Sequence, residues 1–168
     1  MNIKDPSLIR REALKNTIET LERFGNTVSS KHRAALFELI GSFTLGTINN
    51  HTNRRIVHSL PCGSGKTTAI RGFCKAIHDY NQPPRIIICA EKVEGLCQLF
   101  RDMKEDGIPC EKISLLHSKQ YDPNYTFNNP DKATASEKAT DQSDLRQFVL
   151  MTHAKLHLGF NEFDYDLI

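Results

Sequence analysis

The run Pro61-Cys62-Gly63-Ser64-Gly65-Lys66-Thr67-Thr68 gathers two glycines, a lysine and three hydroxyls in eight consecutive residues. Such a run can bind phosphate when a strand precedes it and a helix follows it. Amides at a helix amino terminus lack intrahelical acceptors and carry the positive end of the helix dipole, and glycines let that backbone approach an anion closely. Lys66 is then placed for the β- and γ-phosphates of a nucleotide such as ATP, and the Thr67 hydroxyl for Mg²⁺. The competing reading is an ordinary Gly-Ser turn before a helix. The strict pattern G-x-x-x-x-G-K-[ST] is missed at one place, where Leu60 stands for its first glycine.

The flanking elements decide between these readings. Arg55-Ile56-Val57-His58-Ser59-Leu60 is a short apolar run that predicts a strand leading into the loop, and 67–80 predicts a helix. After the break at Asn81-Gln82-Pro83-Pro84, Arg85 to Ala90 is continuously apolar, as in a buried parallel strand. A helix is predicted over 93–105, a turn at Gly107-Ile108-Pro109 and a strand over 112–117. The stretch from about 118 to 145 is rich in Asn, Asp, Lys, Ser and Thr and reads as a long mobile loop. Phe148 to His153 predicts a strand, 154–158 a short helix and 165–168 the start of another strand. Ahead of all this, Ile9, Leu14, Ile18 and Leu21 are spaced for an amphipathic helix over 7–24 ending at Gly25. A second helix is predicted from Ser29 or Ser30 to Gly41. The chain therefore reads as α/β with a mostly parallel sheet, residues 1–50 being a helical preface and 51–168 the nucleotide-binding part. The preface is either an accessory to that part or a plain stabilising hairpin.

Leu60-Pro61-Cys62-Gly63-Ser64-Gly65-Lys66-Thr67 resembles A-P-T-G-S-G-K-T, motif I of the superfamily-2 helicases and related DNA translocases. Ile86 to Leu99 is similar to motif Ia of that superfamily, a strand, a loop and a helix, with Glu91 where a small or hydroxyl residue is usual. Val149-Leu150-Met151-Thr152-His153-Ala154-Lys155-Leu156 is similar to the following strand and T-H-x-x-L element. The resemblance covers about 54–168 and implies a partial P-loop NTPase (RecA-like) domain. It also implies contact of Lys92 and Thr152 with DNA or RNA. The family's D-E-x-H or D-E-x-D box, second motor lobe and arginine fingers are not among these residues, and Asp166 matches only the acid that often precedes the box. Three readings follow: an incomplete motor that binds ATP without autonomous helicase activity, a split ATPase completed by a second chain, or an interaction module with a relic P-loop.

Length and composition bound these readings. The 168 residues suit one ordinary domain, and a net charge of +2 from 22 basic and 20 acidic side chains gives no bulk attraction to nucleic acid. An odd set of five cysteines without a CxxC pair predicts reduced thiols, and the polar start Met1-Asn2-Ile3-Lys4-Asp5-Pro6 predicts no secretory signal. The expectation is a cytoplasmic protein with no membrane partner. Cys62 is either an oxidisable thiol or a filler of the Thr slot. Of His51, His58, His78, His117, His153 and His157, only His153 and His157 have ligand spacing, and without a neighbouring Glu or Cys they read as surface histidines. Arg54 and Arg55 are read as a solvated strand end or as contacts to base or nucleic acid. An end inside a buried strand predicts a marginally stable or partner-dependent chain.

Overall fold

The computed structural model describes residues 5–48, 56–80, 83–124, 134–141, 143–157 and 166–167. It contains two compact units, residues 1–84 and 85–168.

The first unit is helical: α1 (Pro6–Arg23), α2 (Ser30–Ile48) and α3 (Lys66–Ile77). Asp5 starts α1 by accepting from the Ser7 amide at 2.9 Å, and Ser29 Oγ accepts from the His32 amide at the start of α2. Ile9, Ala13, Ile18 and Leu21 of α1 are buried together with Leu36, Leu39 and Ile40 of α2 and Ala69, Phe73, Cys74 and Ile77 of α3. Where α1 crosses α3, a Cβ on Gly72 would lie 2.3 Å from Thr17 Oγ1 and 2.8 Å from the Ala13 carbonyl, so only glycine allows this approach. Phe43 and Phe73 meet at 5.6 Å. The loop-bearing helix thus groups with the helical preface in one compact unit.

The second unit is a mixed α/β arrangement. Strands β1 (Ile86–Ala90), β2 (Ile113–Leu116), β5 (Phe148–Thr152) and β6 (Asp166–Leu167) form a parallel sheet in the order β2-β5-β1-β6. Helix α4 (Val93–Glu105) and a 3₁₀ turn (Cys110–Lys112) connect β1 to β2, and α5 (His153–His157) follows β5. Ile87, Leu116, Val149 and Met151 form one buried cluster, against which Leu145 and Leu156 pack. The alternate residues of the strands lie on the other face. Helix α4 contributes Leu96, Leu99, Phe100 and Met103 to the core. Of the continuously apolar strand at 86–90, Ile86, Ile87 and Ile88 are buried and Cys89 and Ala90 half-buried.

Three expectations need correction. Residues 56–60 form no strand, and Ile56 and Val57 are exposed. A run without alternation needs cover on both faces, whereas His58 is turned to α2, with Nε2 2.8 Å from Ser42 Oγ. Helix α2 runs past Gly41 to Ile48, because the Arg10 guanidinium fills the space beside Gly41 and Thr44 bonds back to the Ile40 carbonyl. Part of the stretch read as a mobile loop is built into the fold. β3 (Gln120–Tyr121) pairs with β4 (Thr134–Ala135), and Ala135 is buried. Thr140 then covers the outer edge of β2, its amide donating to the Leu115 carbonyl at 2.8 Å and its Oγ1 accepting from the Leu115 amide at 2.9 Å. Arg146 adds bonds to the carbonyls of Cys110 and Ile113. Local apolar content was the wrong guide here, because side-chain to backbone bonds do the fastening. Residues 125–133 and Gln142 of that stretch, and Arg54, Arg55 and His51, lie outside the described residues.

Candidate phosphate-binding loop

The chain enters the loop through a turn in which the Ser64 amide donates to the Pro61 carbonyl and Gly63 takes a φ of +76°. A left-handed residue at this turn position favours glycine. Gly65, with φ +81°, is the N-cap of α3 and offers no side chain to cap it. The first helical bond runs from the Ala69 amide to the Gly65 carbonyl at 2.8 Å. The amides of Lys66, Thr67 and Thr68 therefore precede every helical acceptor, and the first turn of α3 carries no acidic residue.

Lys66 turns back across the loop, and its Nζ donates to the carbonyls of Leu60 at 2.7 Å and Pro61 at 2.9 Å. The ammonium thus sits beside the loop it would neutralise against. Pro61, Cys62 and Thr67 are exposed, and Ser64, Lys66 and Thr68 are half-buried. Ser64 Oγ is buried without a hydrogen-bond partner among the described residues. An unpaired buried hydroxyl costs about 1–3 kcal/mol, which an acceptor such as a phosphate oxygen would recover. Amides that precede every helical acceptor, a lysine and a hydroxyl unpaired among the described residues fit a polyphosphate. For Mg²⁺ the exposed Thr67 supplies one hydroxyl, and this ion usually takes its other ligands from phosphate and water.

Two histidines tie the segment before α3 to α2. His32 Nε2 lies 2.9 Å from the Ser64 carbonyl, and His58 Nε2 binds Ser42. A carbonyl only accepts, so His32 carries its proton on Nε2. Ser42 is placed to donate to the Glu38 carbonyl and so to accept from His58. Leu21 of α1 lies 3.2 Å from where a Gly65 Cβ would be. Sequence reasoning does not single out His32. A histidine near a helix start, with no metal or nucleophile spacing, carries no local signal of a partner 32 residues away.

Lys92 and Thr152 belong to the second unit, at the carboxyl ends of adjacent strands. Lys92 is the exposed N-cap position of α4 just after β1, and Thr152 is the register partner of Ala90. Ligands of parallel sheets bind at this edge. The Thr152 hydroxyl accepts from the Lys155 amide at 3.2 Å and so starts α5. Glu94 and Lys119 form a short ion pair close by in sequence and topology. It holds the Glu94 carboxyl below its ordinary range, the Lys119 hydrogen bond being the main cause.

All five cysteines are free thiols, Cys62 and Cys110 exposed and Cys74 and Cys97 buried. Among the described residues no group of three or more His, Cys, Asp or Glu side chains is arranged to hold a metal ion. No described helix is long and apolar enough to cross a membrane. Comparison with protein-family models, with curated proteins and with solved structures finds no match.

Proposed function

We propose that this chain binds the phosphates of ATP, with Mg²⁺, at Pro61–Thr68, as part of a helicase-like P-loop ATPase. The strand expected before the loop is not formed at residues 56–60, so one observation on the helix side carries the reading: α3 opens on a glycine N-cap without a side-chain cap, and Lys66 folds over the same loop. The amides following Gly65 donate to phosphate oxygens, and Lys66 exchanges its carbonyl partners for the β- and γ-phosphates. Thr67 offers its hydroxyl to Mg²⁺, which supplies charge neutralisation between phosphates. Binding of the nucleotide phosphates is the activity proposed for these residues. Lys92 and the end of β5 at Thr152 are the proposed contacts to a DNA or RNA backbone, in a cytoplasmic setting.

Calorimetry with Mg-ATP on the purified chain tests this, with Lys66→Ala as control and ATP turnover followed in the same samples. We expect saturable binding that Lys66→Ala weakens about 10- to 100-fold, the range for a lost hydrogen bond to a charged group. Absence of binding at millimolar nucleotide, or an unchanged affinity in Lys66→Ala, would sink the reading.

A further inference from the structure

We infer that His32 is a positioning residue for the phosphate loop, setting the direction of the Gly65 amide through the Ser64 carbonyl. The inference rests on the reading of this loop as a phosphate site, and it adds a part from outside the loop. In a trans peptide the carbonyl of one residue and the N–H of the next point in opposite directions. The Ser64 carbonyl is held toward α2 by the His32 Nε2–H, so the Gly65 N–H of the same peptide is directed away from α2.

This control is needed because of the residue types in the loop. Rotating a peptide plane changes ψ of the residue before it and φ of the residue after it. Gly65 follows this plane, and a glycine tolerates both signs of φ. Glycine at position 65 therefore does not by itself fix the orientation of this peptide plane, and the direction of its amide is set by what holds the Ser64 carbonyl. The Ser64 side chain, which has no hydrogen-bond partner among the described residues, does not fix the plane. Leu21 limits the space beside Gly65, but an apolar side chain has no preference between a carbonyl and an amide. His32 supplies the polar contact that holds the observed orientation, its Nε2–H donating to the Ser64 carbonyl at 2.9 Å.

His32 is itself well held. It stands in the first turn of α2, where its own amide donates to Ser29 Oγ at 3.2 Å. His58 and Ser42 provide a second attachment of the same segment to α2, upstream of the loop. Helix α2 thus acts on the loop from two points, the downstream one at the peptide that bears the Gly65 amide.

The test uses the full chain with three proteins, wild type, His32→Ala and His32→Gln. Gln keeps an N–H at a similar reach to the imidazole Nε2. Mg-ATP affinity is expected to fall about tenfold in His32→Ala, the size of one misdirected hydrogen bond to a charged group, and to return within about threefold of wild type in His32→Gln. In the same proteins without nucleotide, the Gly65 amide cross-peak in a ¹H–¹⁵N spectrum is expected to move in His32→Ala and to return in His32→Gln. Wild-type affinity in His32→Ala, or equal weakening in both variants, overturns the inference while leaving the phosphate site standing through its Lys66 control. Should wild type bind no nucleotide, the phosphate-site reading fails. The amide cross-peak then still decides the peptide orientation, an unmoved peak overturning it.

Discussion

At Gly72 a single hydrogen atom decides how closely two helices approach. Helix propensity favours Ala over Gly by about 1 kcal/mol in a helix interior. Here the added methyl would meet Thr17 Oγ1 at 2.3 Å, the Ala13 carbonyl at 2.8 Å and the Thr17 amide nitrogen at 3.0 Å. Two of these three are backbone atoms, and Thr17 Oγ1 is tied to the Ala13 carbonyl at 2.7 Å. None can yield without moving α1, so the steric cost wins. Gly72→Ala is expected to destabilise the chain by about 1–3 kcal/mol, read as a lowered urea midpoint. Adding Thr17→Ala should recover only part of the loss, because the Ala13 carbonyl remains. A neutral or stabilising Gly72→Ala would show that α1 does not sit this close.

At the scale of the element, β2 and its edge depend on a buried histidine. His117, just after β2, is 8% exposed, and its Nε2 lies 3.0 Å from the Glu137 carbonyl. Burial is the main cause that lowers its pKa below the ordinary value, with Lys119 and Lys155 adding to it. The bonds to the Glu137 and Lys119 backbone oppose the shift. A histidine with a depressed folded pKa takes up more protons unfolded than folded. Its contribution to stability is therefore present above the unfolded value of about 6.5 and is lost as pH falls from there through the lower folded pKa. His117→Gln keeps a donor for Glu137 and removes the titration. Urea midpoints measured from pH 7.5 to 5 should decline less steeply in this variant than in wild type. Parallel declines would mean that the site is more open to water than its burial indicates.

For the whole molecule, the thiols report on both units at once. Cys62 lies exposed in the loop of the first unit and Cys110 exposed in the second, while Cys74 and Cys97 are buried. Burial also pushes the Cys74 thiol well above its ordinary range, which removes the reactive thiolate. A small thiol reagent followed by mass spectrometry should label Cys62 and Cys110 rapidly in the native chain, and Cys74 and Cys97 only on unfolding. Mg-ATP should protect Cys62 and leave Cys110 unchanged. Protection of neither, with saturating nucleotide bound, would place the nucleotide away from the loop.

The sequence by itself determined the elements whose signals are local. Apolar spacing at Ile9, Ile18 and Leu21 marks α1, the unbroken run at 86–90 marks a buried strand, and the expected helix over 93–105 matches α4 residue for residue. The Gly-Ser-Gly-Lys-Thr run likewise marks a glycine turn that opens α3, since neighbours in sequence make the loop. Tertiary structure decided the rest. It left the run before the loop without strand partners, carried α2 through Gly41 against Arg10, and fastened Thr140 to Leu115 in a stretch that composition marked as loose. It also brought His32 to the Ser64 carbonyl. Helix and strand periodicity reports which face of an element is buried. A hydrogen bond between residues far apart in sequence depends on where whole elements pack, and no local pattern encodes that.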